Sequence, residues 1–75
     1  MVIIYTTPTC VYCQMAKEFF KERSIAYEEK NVSSDKEALD EMIQKSGQMG
    51  TPVIEVDGKI IIGFDEAAIK ESLKP

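Results

Sequence analysis

Seventy-five residues, 44% apolar and 29% charged, make one domain (1–75) with a single modest core, since folding at this size buries about 60% of the surface the unfolded chain exposes. That balance excludes a disordered chain. Thirteen acidic against nine basic residues, a net charge of −4 without a Lys/Arg cluster, exclude nucleic acid as a partner, and the first apolar run is too short for a signal sequence or a membrane span, so a cytoplasmic protein is expected.

Val2-Ile3-Ile4-Tyr5 is a run of β-formers ended by Thr6-Thr7-Pro8-Thr9, as suits a central strand buried on both faces. From Val11 to Arg23 the apolar residues Val11, Tyr12, Met15, Ala16, Phe19 and Phe20 recur at three- and four-residue spacing, which predicts an amphipathic helix. Thr9 is its expected N-cap, putting Cys10 in the first turn and Cys13 one turn later. Ile25 to Val32 mixes β-formers with Glu28, Glu29 and Lys30, the charge load of an edge strand.

Ser34-Asp35-Lys36-Glu37 has a capping-box pattern, and Ala38, Leu39, Met42 and Ile43 continue a second helix to a stop at Gly47. Val53–Val56 and Lys59–Ile62 flank Asp57-Gly58, the signature of a type I′ hairpin. Asp65 caps a third helix running to about Leu73, with Phe64 placed to staple onto Ile69. The order is β-α-β-α-β-β-α: the first two strands are expected parallel with a right-handed crossover, and the last two antiparallel. This α/β order resembles that of thioredoxin-like domains with a four-stranded mixed sheet.

The two cysteines form a C-x-x-C where the first strand meets the first helix. In a reducing compartment such a pair points to catalysis or metal binding rather than to a staple, because closing a loop of about four residues contributes only about 2 kcal/mol. Zinc takes four ligands, and the chain has no His and no further Cys, so no metal site is expected. Disulfide exchange needs a thiolate, and a free thiol with a pKa of about 8.5 supplies only a few per cent of it at neutral pH. Lowering that pKa by about two units takes about 2.7 kcal/mol. A helix dipole alone gives about 0.3–1 kcal/mol, so first-turn N–H groups must supply the rest. Cys10, at the helix start, is then the nucleophile, and Cys13, farther in, the resolving thiol. For Tyr12 two readings stand side by side: part of the helix's apolar face, or a flank of the substrate groove.

Ile4-Tyr5-Thr6, Cys10-Val11-Tyr12-Cys13, Thr51-Pro52-Val53 and Gly63-Phe64-Asp65-Glu66 together make the whole chain resemble a glutaredoxin. The resemblance implies a monomeric dithiol-disulfide oxidoreductase without a bound cofactor, taking glutathione as co-substrate and a disulfide-containing protein as partner. It implies that Pro52 is cis and faces the cysteines, and that Thr51 offers its backbone to the substrate. It further implies glutathione contacts from Thr51 and Val53 to the peptide backbone, Gln48 to the glycyl carboxylate, and Phe64 with Asp65 to the γ-glutamyl end; for Asp65, helix capping is a competing role.

Val11, where glutaredoxins carry Pro, moves the sequence toward the redoxins that serve ribonucleotide reductase and draw electrons from thioredoxin reductase. Thr7 stands where glutaredoxins often have Lys, and Ile62 where they have the first Gly of a pair. Thioredoxin reductase is therefore an alternative donor. A third reading, also by resemblance, is a carrier holding a metal or iron-sulfur cluster between two copies through Cys10.

Overall fold

The computed structural model describes residues 1–73. Its elements are β1 (Val2–Thr6), α1 (Val11–Glu22), β2 (Glu28–Asn31), α2 (Lys36–Ser46), β3 (Val53–Val56), β4 (Lys59–Ile62) and α3 (Glu66–Leu73), in the expected order. The strands form one sheet ordered β2-β1-β3-β4, in which β1 and β2 are parallel and the other pairs antiparallel.

β1 is an inner strand, and its alternating side chains feed two cores. Val2 and Ile4 join Ala16 and Phe20 of α1, Ile54 of β3 and Ile69 of α3 on one face. Tyr5 joins Val32, Ala38, Met42 and Val53 on the face covered by α2. Burying side chains such as Ile4, Phe20, Ile54 and Ile69 contributes about 1.5–3 kcal/mol each relative to exposure. β2 is an edge strand carrying exposed Glu28 and Glu29, as its charge load predicted. At the hairpin Asp57 and Gly58 both have positive φ, 48° and 89°, which is the I′ geometry.

Three local expectations are corrected. The N-cap of α1 is Cys10, not Thr9: its backbone is extended and its sulfur accepts the Cys13 N–H. The cap of α2 is Asp35, not Ser34, with Asp35 Oδ1 accepting the Ala38 N–H at 3.2 Å. The turn after β2 takes Ser34 for itself, since the Ser34 and Asp35 N–H groups both donate to the Asn31 carbonyl. Finally, the inward face of α1 is Cys13, Ala16, Phe19 and Phe20, while Val11, Tyr12 and Met15 of the predicted stripe are exposed. The apolar pattern there is wider than the sheet can cover.

On the α2 face a polar network surrounds the buried Tyr5 ring. Tyr5 OH donates to Glu41, which also accepts from Lys30 Nζ at 2.9 Å, and Lys45 Nζ reaches Glu55 at 2.6 Å. The Tyr5 hydrogen bond, followed by that from Lys30, pulls the Glu41 carboxyl from 4.5 down to about 2. A carboxylate with a depressed folded pKa stabilises the fold above its unfolded value and loses that contribution as pH falls through the folded one. The window is therefore pH 4.5 down to about 2. Because the Glu41 side chain is 39% exposed, solvent screening reduces the contribution to about 1 kcal/mol. Urea denaturation should show wild-type stability falling in that window, with Glu41→Gln losing about 1 kcal/mol at pH 7 and a shallower acid slope. An unchanged acid slope in Glu41→Gln would place the acid sensitivity elsewhere.

Candidate active site

The β1–α1 junction brings the cysteines together because a strand ends and a helix begins within the span Thr7 to Cys10. The Cys10 N–H donates to Thr7 O at 3.3 Å, turning the chain into α1. Cys10 and Cys13 are joined as a disulfide across the first turn, with 5.2 Å between their Cα atoms.

Cys13 is 1% exposed and faces the core, whereas Cys10 is half-buried. Cys10 Sγ accepts the Cys13 N–H at 3.1 Å, so the sulfur does the work of a cap side chain. A thiolate at Cys10 would meet that donor and the positive end of the helix dipole, and no acidic residue sits in the first turn to oppose it. This is the first-turn N–H that the activation argument called for.

Beside the pair lies an open groove of ≈ 340 Å³ walled by Tyr12, Thr51, Pro52, Ile62, Gly63, Phe64 and Asp65. The Thr51–Pro52 bond is cis, as expected. The Gly63 N–H donates to Pro52 O at 2.8 Å, tying this loop to the start of α3. Gly63 holds φ +81°, a conformation that a side chain would disfavour. Asp65 Oδ1 accepts the Ala68 N–H at 3.1 Å, so its capping role holds, while Asp65 still borders the groove. Phe64 packs on the core cluster that contains Ile69, and its ring meets Phe19 edge-on at 5.9 Å.

Of the residues singled out in the sequence, Tyr12, Thr51, Pro52, Phe64 and Asp65 come together at the groove. Tyr12 is 61% exposed, takes no part in the core and borders the groove, so its core reading falls. Gln48 and Val53 are not brought there. Gln48 closes on its own loop: Nε2 donates to Gly50 O at 3.0 Å and Oε1 accepts the Gly50 N–H at 2.6 Å. A Cβ at Gly50 would stand 2.8 Å from that Oε1, so a larger residue there would push the Gln48 amide aside. Val53 lies inside the sheet opposite Tyr5 and Ile62, with its side chain in the α2-side core.

Sequence reasoning did not count Ile62 and Gly63 among the groove residues. The signal was an apolar edge strand whose last isoleucine, 55% exposed, has no core to enter. Among the described residues no three His, Cys, Asp or Glu side chains gather as a metal site, and no helix is long and apolar enough to cross a membrane.

Residues 2–61 match the glutaredoxin family profile. The chain is 42% identical over 74 residues, 99% of each chain, to a glutaredoxin-like 8.6 kDa protein in the rubredoxin operon of Clostridium pasteurianum. Its fold superposes on the thioredoxin-like protein BC3987 with a TM-score of 0.91 and 32% identity, covering 97% of this chain and 100% of that one. The glutaredoxin-like NrdH-redoxin of Escherichia coli gives a TM-score of 0.84 and 30% identity, over 99% and 95% of the two chains.

Proposed function

Because the chain belongs to the glutaredoxin family of thiol-disulfide oxidoreductases, we propose that it reduces protein or glutathione mixed disulfides through Cys10 as nucleophile and Cys13 as resolving thiol. The observation that carries the reading is the difference in burial: a half-buried Cys10 receiving an N–H, and a Cys13 that is 1% exposed, reachable by Cys10 but not by a bulky substrate.

In the first step the Cys10 thiolate attacks one sulfur of the substrate disulfide. A Cys10–substrate disulfide forms, and the other substrate sulfur leaves as a thiolate that takes a proton from water. Cys13, deprotonated, then attacks Cys10 Sγ and expels the second substrate thiolate. Two electrons have moved, the substrate is a pair of thiols and the protein holds the Cys10–Cys13 bridge. Two glutathione molecules reopen that bridge by the same exchange and leave as glutathione disulfide. Thr51 lends its backbone to the substrate, beside Pro52, Tyr12 and Phe64, and Asp65 meets an amino group of the bound substrate. Val53 and Gln48 lie outside the groove. The same reading takes the protein as a cytoplasmic monomer without a bound cofactor.

A second donor, thioredoxin reductase, is favoured by two observations: the Gln48 amide is engaged on Gly50 rather than turned to the groove, and Ile62 in the groove wall is bulkier than the glycine that glutaredoxins carry there. The two donors separate in one experiment. The oxidised protein is given NADPH with glutathione and glutathione reductase, or with thioredoxin reductase, and NADPH oxidation is followed. Turnover in the first mixture is expected; turnover in the second alone would transfer the protein to the redoxin reading, and turnover in neither would overturn both.

A further inference from the structure

The active-site groove does not end at Phe64. Across that ring lies a second groove of ≈ 300 Å³ between α1 and the start of α3, with Met15, Phe19 and Phe64 among its walls. Tyr12 and Met15 are one helical turn apart on α1, so the two grooves make one track leading away from Cys10. Met15 is 42% exposed, an apolar side chain that the core does not use.

The track's rim is acidic. Glu18, Glu22 and Glu66 border the second groove and Asp65 the first. Asp65 and Glu66 have partners, since one caps α3 and the other pairs with Lys70 at 3.2 Å. Glu18 and Glu22 enter none of the ion pairs among the described residues. They stand four apart on one face of α1, a like-charge spacing that costs a helix about 0.2–0.5 kcal/mol, with Lys21 beside Glu18 on its other flank. The far end is occupied by the chain's own Arg23, whose guanidinium lies 3.9 Å from the Phe19 ring centroid. A cation on an aromatic floor among carboxylates is what this groove already accepts.

We propose that this track docks the flank of a disulfide-bearing partner polypeptide that is apolar beside its half-cystine and basic farther along. The proposal rests on the disulfide-reductase reading and names its substrate class. A second copy of this chain, at net charge −4, would bring another acidic body to an acidic rim, and an anionic lipid surface would be repelled likewise. The geometry also sets a spacing. Glu18 and Glu22 lie eight and twelve residues past Cys10, about 12–18 Å along the helix, which an extended peptide covers in about four to five residues.

The test uses two cyclic peptides, each closed by one internal Cys–Cys bond and carrying a tail of apolar residues with either two Lys or two Glu at the fourth and fifth positions beyond the half-cystine. Pre-reduced protein is mixed with each peptide, and the rate of peptide thiol formation is read chromatographically, alongside bis(2-hydroxyethyl) disulfide as a small substrate. The Lys peptide is expected to react at least about tenfold faster than the Glu peptide, by an advantage that shrinks in high salt. The charge reversal Glu18→Lys with Glu22→Lys is expected to bring the two rates within about twofold, with folding verified by an unchanged cooperative thermal transition. Equal wild-type rates, or a Lys preference that survives the reversal, overturn the docking track while leaving the reductase reading intact. Failure to reduce even the small disulfide overturns that reading and the track with it.

Discussion

Replacing Cys10 by Ser is expected to lower disulfide reduction by more than about a thousandfold, because the hydroxyl that replaces the thiolate is a far weaker nucleophile at neutral pH. Cys13→Ser should behave differently. It leaves the half-buried sulfur that attacks and removes the buried one that resolves, so the variant should accumulate a covalent adduct with a protein disulfide substrate. Mass spectrometry of a non-reduced sample reads the adduct directly, and dithiothreitol should release it. The two variants together test the direction of the mechanism. A Cys10→Ser protein that still turns over, or a Cys13→Ser protein that is dead and free of adduct, would reverse the two roles.

The second large effect is on stability. Phe20 is fully buried, with its ring edge-on to Phe19 at 5.7 Å and tilted against Tyr27 at the same distance. Truncating such a ring removes its transfer energy and leaves a void, a loss of about 3–5 kcal/mol. A domain of this size holds about 4–11 kcal/mol in all, so Phe20→Ala should be largely unfolded at 37 °C or melt more than about 12 °C lower. Val11→Ala belongs to the same sequence stripe and should change stability by less than about 0.5 kcal/mol, because Val11 is 69% exposed. Urea denaturation of both variants checks the contrast. Similar losses for the two would mean that α1 packs by its sequence stripe after all.

That contrast marks where the amino-acid order alone was informative. Element order, the Asp57-Gly58 turn and the Asp65 cap depend on local chemistry, such as positive φ at a turn or a side-chain oxygen over an orphan N–H, and the strand directions on the length of the connections; each is present. The misreadings share a different cause. Whether Val11 or Cys13 turns inward is decided by what the sheet offers to cover, which no local pattern contains. Ser34 lost its capping place to Asp35 because the Asn31 carbonyl, at the end of a strand, draws in the next turn. Cys10 displaced Thr9 because a sulfur can serve as a cap acceptor, a role for which serine, threonine and aspartate are the residues ordinarily read.

The site was legible to a similar degree. The cysteine pair could be found from its position where a strand meets a helix, and Thr51-Pro52 and Phe64-Asp65 from the glutaredoxin resemblance. Gln48, expected by resemblance to meet a glycyl carboxylate, instead has its amide satisfied by the Gly50 backbone, a closure that no sequence pattern announces. Ile62 and Gly63 complete the groove through the pairing of β4 with β3 and the link from Gly63 to Pro52, both contacts between segments distant from the cysteines in the chain.

The sheet also divides the molecule into a working side and a spare one. The cysteines and α1 lie over one core, while α2 covers the other with Tyr5 and its charged network. Asp40 and Gln44 point to solvent from α2, with a full sheet between them and the α1-side core. An immobilisation handle or reporter dye coupled there would leave the reactive sulfur facing solution, so this chain can be mounted as an oriented redox layer without redesigning its chemistry.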